Sequence, residues 1–315
     1  MSEHLLEVNH LKKYFKTGKG TVQAVDDISF TLDAGKTLGL VCESGCGKST
    51  TGRTILRLLE PTDGQVIFEG QDIAKLSASQ MRHMRKDMQM IFQDPFSSLN
   101  PRKTVEELIA EPLKWFKVHK TKAETKEHVA KLMEIVGLAP RLANVYPHEL
   151  DGGRRQRLGI ARALALDPKL IVCDEPVSAL DVSIQAQVLN LLKELQREYN
   201  IAYIFITHDL SVVNHFSDDI AVMYLGQIVE KAPAKELFTN PTHPYTKALL
   251  SAIPIPDPDV QVEQIPLKGE ISSPINMARD CHFAARCPYA TEACHASTPD
   301  LVDRGNEHFV ACHLF

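Results

Sequence analysis

The segment CESGCGKST, residues 42–50, combines residue types that bind phosphate groups. It follows the apolar run at 37–41 and precedes a segment of helical spacing, so we expect it at a strand-to-helix turn, as in a P-loop. There Gly45 and Gly47 would let backbone N–H groups converge on phosphate, and Lys48 could bridge a β- and a γ-phosphate. The alternative is an ordinary glycine-rich turn beside a single lysine.

The hydroxyl of Ser49, next along this loop, is suited to Mg²⁺, and the following helix start would add its dipole. The other positions expected to contact a nucleotide are Ser44, Cys46 and Thr50. The loop departs from the consensus at its first position, where Cys42 replaces glycine. If that position required a positive φ, the cysteine would cost about 1–2 kcal/mol.

A second segment with side chains suited to catalysis is LIVCDEP, residues 170–176. It is an apolar run that ends in adjacent carboxylates. A buried parallel strand would place them at the carboxyl edge of the sheet, where ligands bind. Asp174 suits the shell of Mg²⁺ and Glu175 suits a general base that polarises water. The alternative is an acidic strand end exposed to solvent.

Between these segments, Gly152 and Gly153 precede a predicted helix with Leu158, Ala161 and Ala165 on one side. Its start could bind a second anion. Two such sites in one chain favour a dimer in which each chain completes its neighbour's site. The alternative is a helix N-cap and nothing more.

The elements that would position these residues alternate between strands and helices. Residues 25–32 alternate as a half-buried strand, and 201–207 read as a further buried strand. Residues 188–195 have helical periodicity. The pattern predicts an α/β fold with a parallel sheet.

The middle of the chain, about residues 97–157, has apolar residues at helical spacing where the preceding part has strand-like patterns. We therefore predict an inserted helical region there. Its clearest helix has an apolar face and is closed by Gly137 and Pro140. That face consists of Val129, Leu132, Met133 and Val136. Farther on, prolines accumulate at 240–258, which we interpret as a linker before a small final region.

Composition limits the function classes. The chain has 315 residues, 44% hydrophobic, and a formal net charge of -5. About two units are expected from the length, and the acidic balance disfavours nonspecific nucleic-acid binding. We find neither a secretory signal nor an apolar stretch long enough for a membrane span, and therefore expect a cytosolic protein whose membrane contacts run through partners.

Six motifs occur in the order and spacing of the nucleotide-binding subunits of ABC transporters, which the chain resembles from residue 5 to about 255. They are the P-loop, MIFQDP, LDGGRRQR, LIVCDEP, SALD and ITHD. The resemblance implies a RecA-like P-loop core, an antiparallel β subdomain and an inserted helical subdomain.

By the same resemblance, Gln93 is a lid-loop glutamine that senses Mg²⁺ and the membrane partner. Asp181 lies in a loop between two sites, and His208 contacts the γ-phosphate. Tyr14, or less favourably Phe15, would stack on adenine. The implied cofactors are ATP and Mg²⁺, the latter held by Ser49, Gln93 and Asp174, and the implied catalytic group comprises Glu175, His208, Lys48 and Gln93.

The family signature LSGGQ is altered here, with Asp151 replacing serine and Arg154 replacing glutamine. An aspartate facing a γ-phosphate would be repelled. Asp151, Gly152, Gly153 and Asp181 would act on the nucleotide of the neighbouring chain. We therefore expect an unequal pair, with a heterodimer as the hypothesis.

The end of the chain resembles the C-terminal extension of oligopeptide and dipeptide importer ATPases. The resemblance rests on the segments 240–254, 281–295 and 310–313. It implies two parts, 1–255 and 256–315, and a subunit that drives peptide uptake with a second ATPase subunit, two membrane permeases and an external binding protein. Related importers carry nickel, glutathione or sugars.

Four cysteines crowd this end, at Cys281, Cys287, Cys294 and Cys312. They match a tail that in this family can hold a [4Fe–4S] cluster. Four thiolates suit iron–sulfur or zinc, and the lack of close C-x2-C pairs favours iron–sulfur over zinc or no metal. Disulfides are disfavoured in a cytosolic protein.

Two other functions stay open: a soluble ABC ATPase acting on nucleic acid or ribosomes, and a regulatory module that binds nucleotide without turnover. Proteins of the first kind usually carry two cassettes in a chain, and this chain has one. The second would have to explain the intact Glu175 and His208.

Overall fold

A computed structural model describes residues 4–43, 45–94, 98–253, 264–267, 269 and 273–315. The chain forms two compact units. The first is built from residues within 1–33, 37–75 and 205–315, and the second from residues within 34–36 and 76–204.

The first unit begins with β1 (Leu6–Thr17), β2 (Gly20–Leu32), β3 (Thr37–Val41), α1 (Lys48–Ile55), β4 (Asp63–Phe68) and β5 (Gln71–Asp72). The second contains α2 (Ala78–Met84), β6 (Met88–Ile91), α3 (Val105–Trp115), α4 (Lys122–Ile135), α5 (Gly152–Leu164), β7 (Leu170–Asp174) and α6 (Val182–Tyr199). The chain returns to the first unit along β8 (Ala202–Thr207). There it adds α7 (Leu210–Phe216), β9 (Asp219–Tyr224), β10 (Gln227–Pro233), α8 (Ala234–Thr239), α9 (Pro244–Ser251), α10 (Glu292–Ala296), β11 (Val302–Asp303) and β12 (Phe309–Val310).

An antiparallel sheet in the first unit has the strand order β2-β1-β4-β5. The alternation predicted for residues 25–32 is confirmed over 28–32, where Ile28, Phe30 and Leu32 are buried and Thr31 is exposed. Val25 is also buried, but the left-handed Asp27 interrupts the alternation between it and Ile28. One apolar face is thus covered and the other remains polar, as expected for an antiparallel sheet.

The remaining strands of the first unit follow the order β11-β12-β10-β9-β3. β3 runs parallel to β9, and β9 pairs antiparallel with β10. All five residues of β3 are buried, as are all six of β8, which confirms both predicted buried strands. Continuous apolar runs of this kind suit parallel strands covered on both faces.

In the second unit, β6 and β7 pair in parallel, with Ile91 opposite Cys173. The predicted helix at the middle of the chain is α4. It begins at a capping box formed by Thr121 and Glu124, and the predicted apolar face is buried. Gly137, at φ +69°, takes the left-handed conformation that ends helices, so this prediction is confirmed.

The helix predicted around residues 188–195 is α6, the longest described helix at 18 residues. Its buried face contains Val188, Leu191, Leu192 and Leu195, and it ends at the left-handed Asn200. Neither α6 nor any other helix of the described ranges combines the length and apolarity needed to cross a membrane.

The predicted linker at 240–258 is wrong over residues 244–251, which form α9. Pro244 occupies the first turn, where a missing N–H and a fixed φ are tolerated. The side chain of His243 caps the helix, and Tyr245 is fully buried. Pro254, Pro256 and Pro258 lie outside the described residues.

Candidate functional site

The predicted phosphate loop lies where β3 ends and α1 begins. Gly47, at φ +104° and ψ 2°, is the N-cap of α1, so the helix starts at Lys48 itself. The strand-to-helix turn predicted from the sequence is therefore present. A helix of eight residues starts directly behind the loop, so the positive end of its dipole faces the loop.

The two glycines of the loop are needed for different reasons. At Gly47 a Cβ atom would lie 1.9 Å from the carbonyl oxygen of Ala24, so a side chain is sterically excluded. Gly45 has φ +84°, but no atom lies within 4 Å of a Cβ built there. Only the left-handed backbone favours glycine at that position.

Lys48 reaches back across the loop. Its ammonium group donates hydrogen bonds to the carbonyl oxygens of Cys42 at 2.6 Å and Glu43 at 3.2 Å. The side chain is 5% exposed. The cation is thus held at the mouth of the turn that would surround a phosphate group.

Cys42 does not adopt a positive φ, so the backbone cost considered for this substitution does not arise. The cysteine instead forms a disulfide with Cys46, with the two Cα atoms 6.5 Å apart, a separation that such a bond allows. The signal in the sequence that could have indicated this bond is a pair of cysteines four residues apart, on either side of a turn.

The second unit brings two predicted catalytic residues together. Glu175 follows the buried strand β7 and has φ +46°, and its carboxylate accepts a 3.0 Å hydrogen bond from the side-chain amide of Gln93. Asp174, the last residue of β7, is 1% exposed. The acidic pair is therefore split between a buried carboxylate and a partly accessible one.

The altered signature residue Asp151 is the N-cap of α5. Its carboxylate accepts a hydrogen bond from the backbone N–H of Arg154 at 2.8 Å and lies 3.3 Å from the guanidinium of the same residue. At Gly153 a Cβ would lie 2.7 Å from the side chain of Ile184. The predicted helix start is confirmed, and the two departures from the family signature pair with each other.

The remaining residues predicted for the site and described by the structure lie at helix starts or in loops. Gly152 is the first residue of α5, and Asp181 is the exposed N-cap residue of α6. His208 is exposed and follows β8 directly. Ser49 and Thr50 lie in the first turn of α1, and Ser44 lies outside the described residues.

The two aromatic candidates for adenine stacking lie on β1. Their partners on β2, Gln23 for Tyr14 and Val22 for Phe15, are consecutive, so the two rings leave the sheet on opposite faces. The hydroxyl of Tyr14 donates a short hydrogen bond to Asp26, and burial raises the pKa of this phenol. Tyr14 is thus engaged on its own face, while Phe15 lies under the ammonium group of Lys13 at 4.8 Å.

The four tail cysteines are free thiols in one neighbourhood of the first unit. The backbone N–H of Cys281 donates to the carbonyl of Cys294 at 2.8 Å, and burial raises the pKa of the Cys281 thiol to about 11. Within the residues that the structure describes, no three Cys, His, Asp or Glu side chains form a group that could hold a metal ion. As placed, the thiols do not fit a cluster or zinc.

Comparison with known proteins identifies two matching families. The family described as "ABC transporter" matches residues 25–178, and the one described as "Oligopeptide/dipeptide transporter, C-terminal region" matches residues 229–294.

Among curated proteins, "Oligopeptide transport ATP-binding protein AppF" of Bacillus subtilis is 53% identical over 99% of this chain and 98% of its own length. "Oligopeptide transport ATP-binding protein OppF" of the same organism is 59% identical over 86% of this chain and 90% of its own length.

Solved structures give the same fold. "Dimeric structure of a post-hydrolysis state of the ATP-binding cassette MJ0796 bound to ADP and Pi" is similar with a TM-score of 0.67 and 28% identity, over 73% of this chain and 98% of that chain. The predicted α/β fold, a P-loop core with an antiparallel sheet and a helical subdomain, is confirmed.

Proposed function

The chain belongs to the ATP-binding proteins of the ABC transporter family, and we propose that its ATP hydrolysis drives the import of di- and oligopeptides across the cytoplasmic membrane. The observation that carries this proposal is the phosphate loop, in which Lys48 lies across the turn before α1. The match of residues 229–294 to the oligopeptide and dipeptide transporter C-terminal region supports peptides as the cargo.

The proposed division of the chain is a nucleotide-binding domain at 1–255, with its helical insertion at about 97–157, and an importer-type extension at 256–315. The match to the ABC transporter family at residues 25–178 supports the first part, and the match at residues 229–294, which crosses the proposed boundary, supports an importer-type end of the chain.

Within the proposed site, the backbone N–H groups of Gly45, Cys46 and Gly47 bind the phosphates and Lys48 neutralises their charge. Ser44, Ser49 and Thr50 complete the loop, and Tyr14 is the proposed adenine contact. Glu175 takes a proton from the attacking water, and His208 stabilises the γ-phosphate.

Magnesium, when bound, would offset the charge of the phosphate oxygens. Ser49, Gln93 and Asp174 are the residues proposed to hold it, since oxygen ligands suit this ion. Asp174 is a buried carboxylate at the end of β7, in keeping with a role beside a cation.

Asp151, Gly152, Gly153 and Asp181 are proposed to act on the nucleotide of a second ATPase subunit. Asp151 carries a negative charge, but Arg154 lies 3.3 Å from it and α5 starts behind it. This exposed pair offsets part of that charge, and we propose, as the sequence indicates, an unequal pair of sites with a heterodimer as the hypothesis. Whether the neighbour is a second copy or a different chain is part of the same hypothesis.

The proposed partners are that second ATPase subunit, two membrane permeases and, indirectly, an external substrate-binding protein, with no nucleic acid. The proposed location is the cytoplasmic face of the membrane, where the chain would be held by the permeases. The relatives named as oligopeptide transport proteins support both proposals.

A metal in the tail is a separate proposal. Cys281, Cys287, Cys294 and Cys312 would have to move into one ligand group to hold a [4Fe–4S] cluster, or zinc as the alternative, because they do not form one in this structure. Visible absorbance of anaerobically purified protein tests for iron–sulfur, and a colourless sample with stoichiometric zinc would favour zinc.

The decisive test of the proposed function is Lys48→Ala in the full chain. Loss of a charge-assisted contact of about 1.5–3 kcal/mol should weaken MgATP binding about 10- to 100-fold, measured by calorimetry. Lys126→Ala, an exposed lysine on α4, is the matched control. Equal MgATP binding by Lys48→Ala and the wild type would contradict the proposed site. Unchanged peptide uptake by cells lacking the chain would contradict the proposed cargo.

A further inference from the structure

We propose that Arg286, in the cysteine-rich tail, is a positioning residue for the phosphate loop. It acts through Glu43, the second residue of that loop. The inference rests on the proposed function, because it concerns how the loop is held in the conformation that binds ATP.

The first observation is an ion pair between the tail and the loop. A guanidinium nitrogen of Arg286 lies 2.9 Å from a carboxylate oxygen of Glu43, across 243 residues of sequence. Arg286 is 8% exposed, and its guanidinium also faces the ring of Tyr224 at 5.9 Å. A cation this deeply buried depends on its partner, and the partner is held in return.

Glu43 is fixed at its backbone as well as at its side chain. Its N–H donates to the hydroxyl of Tyr245 at 3.2 Å, and its carbonyl oxygen accepts from Lys48 at 3.2 Å. The carboxylate, the amide and the carbonyl therefore each have a named partner. The partner of the carbonyl is Lys48, the lysine proposed to bind phosphate. A shift of Glu43 would therefore move the Lys48 ammonium group.

The tail turn that carries Arg286 is itself firmly packed. Residues 284–286 form one 3₁₀ turn, so Phe283 and Arg286 project from the same side. Phe283 is 1% exposed, and its ring centroid lies 5.2 Å from that of Tyr224 and 5.4 Å from that of Tyr245. The buried ring of Phe283 thus fixes the turn from which Arg286 reaches the loop.

His282, just before the same turn, is linked to the other end of the loop. The ring of His282 lies 3.2 Å from the carbonyl oxygen of Leu225, and the next residue, Gly226, donates its N–H to the carbonyl of Cys46 at 2.9 Å. The tail therefore contacts Glu43 directly and is linked to Cys46 through the peptide unit between Leu225 and Gly226. Two attachments at opposite ends of a short loop fix its shape better than one.

The alternative is that these contacts only hold the tail to its unit. In that case, loss of Arg286 would lower stability without changing how ATP is bound. Positioning instead predicts a selective defect, because loop misplacement weakens contacts with the phosphates.

The test uses the full chain with MgATP. Arg286→Gln should raise the Kd and KM for MgATP about tenfold while kcat at saturating ATP stays near the wild-type value. Arg286→Lys should restore part of the affinity. Arg304→Gln, an exposed arginine in the same tail, is the matched control and should bind as the wild type does.

A double-variant cycle with Glu43→Gln separates positioning from general destabilisation. If Arg286 acts through Glu43, the double variant should bind MgATP no more weakly than Arg286→Gln alone. Additive losses in affinity would overturn the inference.

Tyr245→Phe removes only the hydroxyl that contacts Glu43 and gives an answer even if Arg286→Gln does not fold. We expect weaker MgATP binding with an unchanged melting temperature. Wild-type affinity in Tyr245→Phe, or in a folded Arg286→Gln, overturns the inference and leaves the proposed function standing. If the wild-type chain does not bind MgATP, the proposed function itself is wrong.

Discussion

The side-chain amide of Gln93 donates a 3.0 Å hydrogen bond to the carboxylate of Glu175. The two residues are 82 positions apart, and each follows the end of one of two paired parallel strands, β6 and β7. Neighbouring parallel strands end at the same edge of a sheet, which explains why the glutamine and the carboxylate meet. The side chain proposed as the base is therefore directly coupled to the loop that contains Gln93.

Glu175→Gln should lower kcat for ATP hydrolysis about 100- to 10,000-fold, the range that a positioned general base contributes, while MgATP binding is retained. A glutamine keeps the shape of the side chain but cannot accept the proton. Steady-state phosphate release and equilibrium ATP binding measure the two quantities. Glu127→Gln, an exposed position on α4, is the control, and wild-type turnover in Glu175→Gln would remove the assignment of the base.

Gly47→Ala should disrupt the phosphate loop far more than Gly45→Ala. The new Cβ at position 47 would clash with the carbonyl of Ala24, whereas at position 45 it meets open space and costs only the left-handed backbone strain of about 1–2 kcal/mol. Denaturant unfolding and MgATP affinity compare the two variants. Equal losses at both positions would contradict the steric account of Gly47.

The disulfide between Cys42 and Cys46 predicts a thiol count. The chain has seven cysteines, and five of them are free. Denatured, unreduced protein should therefore titrate as five thiols, rising to seven after reduction. The count of five applies to protein purified without reductant, because a reductant would open the disulfide.

Cys42→Ser is the control for this count. It should give six thiols with or without reductant, since 7 − 1 = 6 and no partner for Cys46 remains. Seven thiols in unreduced wild-type protein, purified without reductant, would show that the bond is absent.

Sequence periodicity predicted the elements that depend on local pattern. The buried strands β3 and β8, the alternation of β2 and the helix α4 are set by runs of apolar residues at the spacing of a strand or a helix, and each is confirmed. The strand-to-helix turn at Lys48 also follows from local order, since Gly45 and Gly47 supply the left-handed backbone that this turn requires.

The wrong prediction concerned proline. Pro244 was counted among residues that interrupt structure, yet a helix accepts proline in its first turn, and the N-cap at His243 decides the matter. Contacts between distant residues were also not predictable. Nothing near Glu43 indicates Arg286, and nothing near Tyr14 shows that its hydroxyl would bond Asp26, because these pairs depend on tertiary packing.

The buried His243 predicts a pH dependence of stability. Burial lowers its pKa from 6.5 to about 3 in the folded chain, so it stays neutral while the unfolded chain takes up a proton. Between these two values the unfolded state binds more protons. This residue's contribution is therefore complete above pH 6.5 and is lost as pH falls toward 3, by up to about 1.4 kcal/mol per pH unit.

His243→Asn should flatten the free energy of unfolding between pH 6.5 and 3, because asparagine can still cap Tyr245 without titrating. Urea unfolding at several pH values measures the slope. His295→Asn, an exposed histidine of the tail, is the control. An unaltered slope in His243→Asn would assign the acid sensitivity to other groups.

The short strand β12 hydrogen-bonds along β10, with Val310 opposite Glu230 and Phe309 opposite Lys231. A strand without such a neighbour would present a row of unsatisfied peptide groups to any passing chain. Phe309 and Val310 thus cover part of β10 that would otherwise be an exposed strand edge. A version shortened before residue 300 should expose this edge and aggregate more readily.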